Sequence, residues 1–175
     1  IRRIHEVGER YGRSEFGKGQ RIIVEFVSAN PTGPLHVAHG RHAAYGASLS
    51  NVLDAAGYNV HREYYINDAG RQMDILASSL WLRYLETFGE TVSIPANGYP
   101  GEYLKPVAAK LREVVGESLR RPAADVYKGL PPDEPAGGDK EVYVDAVIER
   151  VRQLIGLKDY ARVLDVALEQ LLGDI

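Results

Sequence analysis

The 175 residues are 45% apolar and 26% charged, the mixture of a water-soluble globular protein with one domain, or one domain plus an insertion. Twenty-one basic residues against 24 acidic ones leave a net charge of −3, which argues against wrapping nucleic acid by bulk charge. The absence of cysteine excludes disulfides, thiolate zinc sites and cysteine nucleophiles. No apolar run approaches the ~18 residues of a bilayer span and no signal peptide opens the chain. A reducing cytoplasm with no membrane partner is therefore expected. The chain starts on Ile1 rather than Met, which suggests a piece of something longer.

Residues 1–19 are polar and glycine-rich, and read as a lead-in or linker with some helix in it. Their basic residues Arg2, Arg3, Arg10, Arg13 and Lys18, with Arg21 next to them, have an ordinary explanation as a solvated segment. Residues 21–27 (Arg-Ile-Ile-Val-Glu-Phe-Val) are β-branched and apolar, as in a buried parallel strand, with Glu25 out of place there. Ser28-Ala29-Asn30-Pro31-Thr32-Gly33-Pro34 is a dense set of turn residues. Over 35–56 the pattern is helical, with Tyr45, Leu49, Val52, Leu53 and Ala56 on one face and Gly57 as the stop. A second strand over 58–66, the turn Asn67-Asp68-Ala69-Gly70 and a second helix follow. That helix carries Met73, Leu76, Ala77, Leu80 and Tyr84 on one face. A strand–helix–strand unit of this length implies parallel pairing and a right-handed crossover.

After Gly89 the character changes. Three amphipathic stretches follow: Leu104/Val107/Ala108/Leu111/Val115, Val144/Val147/Ile148/Val151/Leu154 and Leu164/Ala167/Leu168/Leu171. Between the first two lie Pro122, Pro131, Pro132 and Pro135 with Gly129, Gly137 and Gly138, a composition expected to hold no regular structure. No strong strand is read after Ile66. Because two strands do not make a stable sheet, the α/β part reads as half a domain.

The loop after the first strand carries the strongest chemical signal, because ligands of open α/β sheets sit at strand carboxyl ends beside helix N-termini. It contains neither common phosphate loop. It does offer His36 and His39, three residues apart at the start of a helix, where free N–H groups attract anions. Three readings are open for this pair: phosphate contacts that tighten in a transition state, a helix cap, or a divalent metal site. The metal reading is the weakest, since the Glu of a His-Glu-x-x-His helix is missing. Glu25 is either paired with an arginine such as Arg62 or faces a cationic ligand, and Asn30 lies across the bend from it. Asp68 is expected to cap the following helix, and Trp81 to lie in the core rather than form a nucleobase platform.

Val24-Glu25-Phe26-Val27-Ser28-Ala29-Asn30-Pro31-Thr32-Gly33-Pro34-Leu35-His36-Val37-Ala38-His39-Gly40-Arg41 resembles the nucleotide signature region of arginyl-tRNA synthetases. Glu63-Tyr64-Tyr65-Ile66-Asn67-Asp68-Ala69-Gly70-Arg71-Gln72 and Gly101-Glu102-Tyr103-Leu104 also look like that family, and the likeness runs over about 19–111. It implies an α/β fold, the first half of a Rossmann-type nucleotide-binding domain with a mostly helical insertion. Residues 20–89 would be that half, and 90–175 the insertion and return. Residues 1–19 would lead in from an N-terminal domain outside the chain. The implied activity is ATP-dependent conversion of L-arginine to arginyl-adenylate and transfer to tRNA(Arg), by a monomeric cytoplasmic enzyme.

By the same resemblance, His36 and His39 would act on the ATP phosphates with Ala38 and Gly40 beside them. Ser28 and Asn30 would hold the amino acid's α-amino and carboxylate groups, and Glu25 would help recognise the cationic substrate. Mg²⁺ would arrive with ATP, and no protein metal site is implied. Ala38 stands where the family signature normally has glycine, close to the adenine. Family members are several times longer, so the chain is expected to be a fragment inactive alone. Two other classes stay in view: a freestanding nucleotidyltransferase, and a non-catalytic binding or scaffold protein with a synthetase-like half-domain.

Overall fold

The computed structural model describes residues 1–173. The order of elements is α1 (Arg2–Val7), β1 (Arg21–Glu25), α2 (Val37–Ala55), β2 (Asn59–Glu63), α3 (Arg71–Glu86), α4 (Leu104–Val115), α5 (Ala123–Tyr127) and α6 (Lys140–Leu172). Single 3₁₀ turns lie at Gly8–Arg10 and Glu134–Ala136. The chain divides into two compact units. One holds Ile1–Asn30 and Leu35–Asn67, the other Pro31–Pro34 and the chain from Asp68 onward.

In the first unit β1 and β2 pair in parallel, with Arg21 opposite Asn59 and Glu25 opposite Glu63, as the strand–helix–strand reading requires. Both strands are shorter than expected. Phe26 still donates its N–H to the Glu63 carbonyl at 3.2 Å, and the backbone then turns left-handed at Val27 and Ser28. The expectation of a buried strand is corrected: every second residue of β1 is exposed, and Ile23 is 65% exposed. With a two-stranded sheet, no neighbouring strand or second layer within this unit covers that face.

The apolar face expected for the first helix is also corrected. Tyr45 is 72% and Val52 65% exposed, whereas Gly46 and Ser50 are the buried positions of α2. The reason is steric. The helix approaches the end of β1 so closely at Gly46 that a Cβ there would stand 2.1 Å from Phe26 Cγ, so the small-residue side faces the sheet. The end of α2 behaves as expected: Ala56 caps it, and Gly57 follows at φ +91°, turning the chain into β2.

Residues 14–19 are more than a linker. Ser14, Gly17 and Gly19 donate their N–H groups to Ala55, Ala56 and Gly57, and Arg13 pairs with Asp54 at 2.6 Å. The lead-in is thereby tied to the α2–β2 corner of its own unit.

The second unit holds the continuous hydrophobic core. The predicted faces of α3 and α4 are buried throughout, and α6 adds Val144, Val147, Ile148, Val151, Val163 and Ala167. Trp81 is fully buried as expected and donates its indole N–H to the Leu119 carbonyl at 3.0 Å. The second and third amphipathic stretches lie on one run of helix, α6, broken at Gly156 by a non-helical φ of 78° and ψ of 157°. Such a conformation belongs almost only to glycine.

The proline–glycine segment is a further correction, for it holds α5 and a 3₁₀ turn. Pro122 stands just before α5, where its fixed φ is no obstacle, and Val126 is fully buried in the core. Burial of one apolar anchor outweighs the local breaker signal. Asp68 does not cap α3: Gly70 occupies that position at φ +87°, with no side-chain cap. No strand follows β2 among the described residues. The last two residues of the span 90–175 lie outside the described residues.

Candidate functional site

The residues singled out from the sequence fall on the loop between β1 and α2 and on the first turn of α2, all within the first unit. His36 is the N-cap of α2 and His39 its third helical residue. The two form a reciprocal capping box. The His36 ring accepts the His39 backbone N–H, and His39 Nδ1 accepts the His36 backbone N–H at 3.1 Å. The rings stack with centroids 3.8 Å apart and an interplanar angle of 26°. The capping reading is thus correct as geometry, and it carries a chemical consequence. A ring nitrogen that accepts a hydrogen bond is unprotonated, so a neutral imidazole carries its proton on the other nitrogen. Each ring is left with an N–H donor directed away from its own cap.

Partial desolvation, then the neighbouring imidazoles of His36 and His42, hold the His39 pKa below the ordinary histidine value. That favours the neutral donor form. The N–H groups of Val37 and Ala38 meet no acceptor among the described residues, and Val37, Ala38 and Gly40 are exposed. The start of α2 therefore presents backbone and imidazole donors to solvent at the positive end of a 19-residue helix. Among the described residues no group of three or more His, Asp or Glu side chains could hold a metal ion.

Glu25 ends β1 and is exposed, which corrects the expectation of a buried carboxylate. It is not paired with Arg62, which donates to Asn51 Oδ1 at 2.7 Å. Instead Ser28 Oγ donates to Glu25 Oε1 at 2.7 Å and accepts the Tyr65 N–H at 3.1 Å. Asn67 Nδ2 donates to Asn30 Oδ1 at 3.1 Å, fixing that amide with its oxygen toward Asn67. The structure thus gathers Glu25, Ser28 and Asn30 against the segment that leaves β2, and sets His36 and His39 at the helix start. Tyr64 also belongs to this group, because its hydroxyl bonds both backbone groups of Ala29 at 3.0 Å. Sequence reading placed Tyr64 in a strand, where nothing in its spacing marks it out.

Comparison with known proteins gives this loop a context. An arginine–tRNA ligase of Thioalkalivibrio sulfidiphilus is 56% identical over the whole chain, and one of Halorhodospira halophila is 59% identical over 96% of it. The chain spans 30% and 28% of the length of these two curated relatives. A crystal structure from Campylobacter jejuni described as an arginyl tRNA synthetase superposes on 99% of the chain and 31% of its own, with a TM-score of 0.67 and 26% identity. The model of the catalytic domain of class I tRNA synthetases (R) matches residues 3–94, more than half of the chain and all of the loop just described. The stacked histidine pair and the loop before it therefore lie within that match, and the chain belongs to the class I tRNA synthetase (R) catalytic-domain family.

Proposed function

We propose that this chain is the first part of the Rossmann-type catalytic domain of an arginine–tRNA ligase. The complete enzyme, a cytoplasmic monomer, activates L-arginine with ATP and transfers it to tRNA(Arg). The carboxylate of arginine attacks the α-phosphorus, the bond to the bridging oxygen breaks, and pyrophosphate leaves with the electron pair. Mg²⁺ enters with ATP as part of the substrate. Negative charge grows on the phosphate oxygens as the transition state forms, and donors fixed in advance stabilise it without reorganising.

The observation that carries this reading is the reciprocal cap of His36 and His39, which leaves each ring one free nitrogen at the helix start that also holds the open N–H groups of Val37 and Ala38. Ala38 and Gly40 flank the nucleotide, Ser28 and Asn30 receive the amino-acid head group, and Glu25 supplies the carboxylate for the cationic substrate. The similarity to arginine–tRNA ligases at 48–59% identity supports the same assignment.

The test separates capping from chemistry in the complete enzyme with tRNA(Arg) present. Asn is a strong N-cap and Gln a capping-box residue, so His36→Asn combined with His39→Gln keeps the start of α2 while removing both imidazoles. Arginine-dependent ATP–pyrophosphate exchange should fall by about 10²–10³ in kcat, as for loss of a transition-state donor, with the KM values for ATP and arginine little changed. Exchange at the normal rate in this variant would sink the role given to the pair.

A further inference from the structure

We propose that Tyr64 is a positioning residue for the amino-acid loop, its hydroxyl holding residues 28–30 in a backbone conformation their own sequence disfavours. The inference rests on the reading of Ser28 and Asn30 as the arginine head-group site. Beyond the last ladder bond of β1, Val27 has φ 70° and Ser28 φ 42°. Left-handed backbone is uncommon for any residue with a Cβ, and for a β-branched valine it is an outlier that surrounding structure must enforce.

Three enforcing contacts come from the segment just beyond the end of β2. Ala29 is 7% exposed and lies outside the β ladder, so its N–H and C=O need partners. The Tyr64 hydroxyl accepts the first and donates to the second, both at 3.0 Å. On either side, Ser28 Oγ accepts the Tyr65 N–H and Asn30 Oδ1 accepts from Asn67 Nδ2. Tyr64 thus closes the middle of a three-rung clasp whose outer rungs are the proposed substrate contacts. A hydroxyl has the donor and the acceptor to do this at one atom, and phenylalanine has neither.

The experiment uses the complete enzyme and steady-state aminoacylation. Tyr64→Phe should raise the KM for arginine about tenfold, the scale of losing a pair of half-buried hydrogen bonds, while leaving the KM for ATP nearly unchanged. Glycine adopts positive φ without penalty, so adding Val27→Gly to Tyr64→Phe should recover most of the arginine KM. The clasp is overturned if Tyr64→Phe leaves the arginine KM unmoved while Ser28→Ala and Asn30→Ala raise it. It is equally overturned if Tyr64→Phe raises the KM values for arginine and ATP together, or if Val27→Gly restores nothing. If Ser28→Ala and Asn30→Ala also leave the arginine KM unchanged, the reading of the loop as the head-group site fails instead.

Discussion

His39 Nδ1 holds the His36 backbone N–H, and a proton added to that nitrogen removes the acceptor. Because its folded-state pKa is depressed, the folded chain binds fewer protons at His39 than the unfolded chain does. The stability contributed by the cap is therefore present above the unfolded value of about 6.5, and is lost as pH falls through the lowered folded pKa. An NMR titration should place the His39 ring midpoint below that of a free histidine, with the His36 amide moving at the same midpoint. A ring midpoint at or above the free value, or a His36 amide indifferent to it, would break the link between cap and tautomer. The same acid limb should appear in the complete enzyme's adenylation rate, since protonation at Nδ1 releases the ring from the geometry that aims its donor.

Helix α2 carries this pair, and its seat on β1 is decided at Gly46. Helix propensity alone makes alanine better than glycine inside a helix by about 1 kcal/mol. The approach to Phe26 opposes that: an added Cβ would meet Phe26 Cβ at 2.5 Å as well as its ring, close to the root of the side chain where rotation gives no relief. Overpacking of this kind costs about 1–3 kcal/mol, so after the propensity gain Gly46→Ala is expected to destabilise the first unit by up to about 2 kcal/mol. Chemical denaturation with a probe in the first unit checks the sign. A stabilised variant would mean that helix and strand separate freely, and the histidine pair would then have no rigid support.

The two units differ in what they bury. The second closes a continuous core in which Leu76, Leu80, Trp81, Leu82 and Leu111 are fully buried. The first has two strands, with Ile23, Tyr45 and Val52 largely exposed. Amide protection follows apolar burial and the depth of the hydrogen bonds. In the isolated 175-residue chain, amides of α3, α4 and the first part of α6 should therefore exchange far more slowly than those of β1, β2 and α2. The expected ratio is at least tenfold, about 1.4 kcal/mol in opening free energy. Equal protection in both units would show that the first unit is stable without further partners. The relatives are more than three times as long as the stretch they share with this chain.

The alternation of element types, the parallel pairing, the faces of α3 and α4 and the place of the histidine pair were legible in the sequence, because each depends on local periodicity or on chain order. The loop from Ser28 to Asn30 could be located in the same way, since turn residues mark it. What burial and close approach decide was not legible. Which side of α2 meets the sheet depends on one contact between Gly46 and Phe26, residues 20 positions apart. Whether Glu25 is buried depends on what covers its strand, and among the described residues β1 has β2 as its one neighbouring strand. The proline-rich segment became partly helical because Val126 found a place in the core, a long-range gain that no local breaker signal can register. The role of Tyr64 lies in a single hydroxyl reaching Ala29 across 35 residues of chain. Local chemistry determined the elements and the position of the candidate loop, while tertiary packing decided their seating, because contact between distant residues has no periodicity to read.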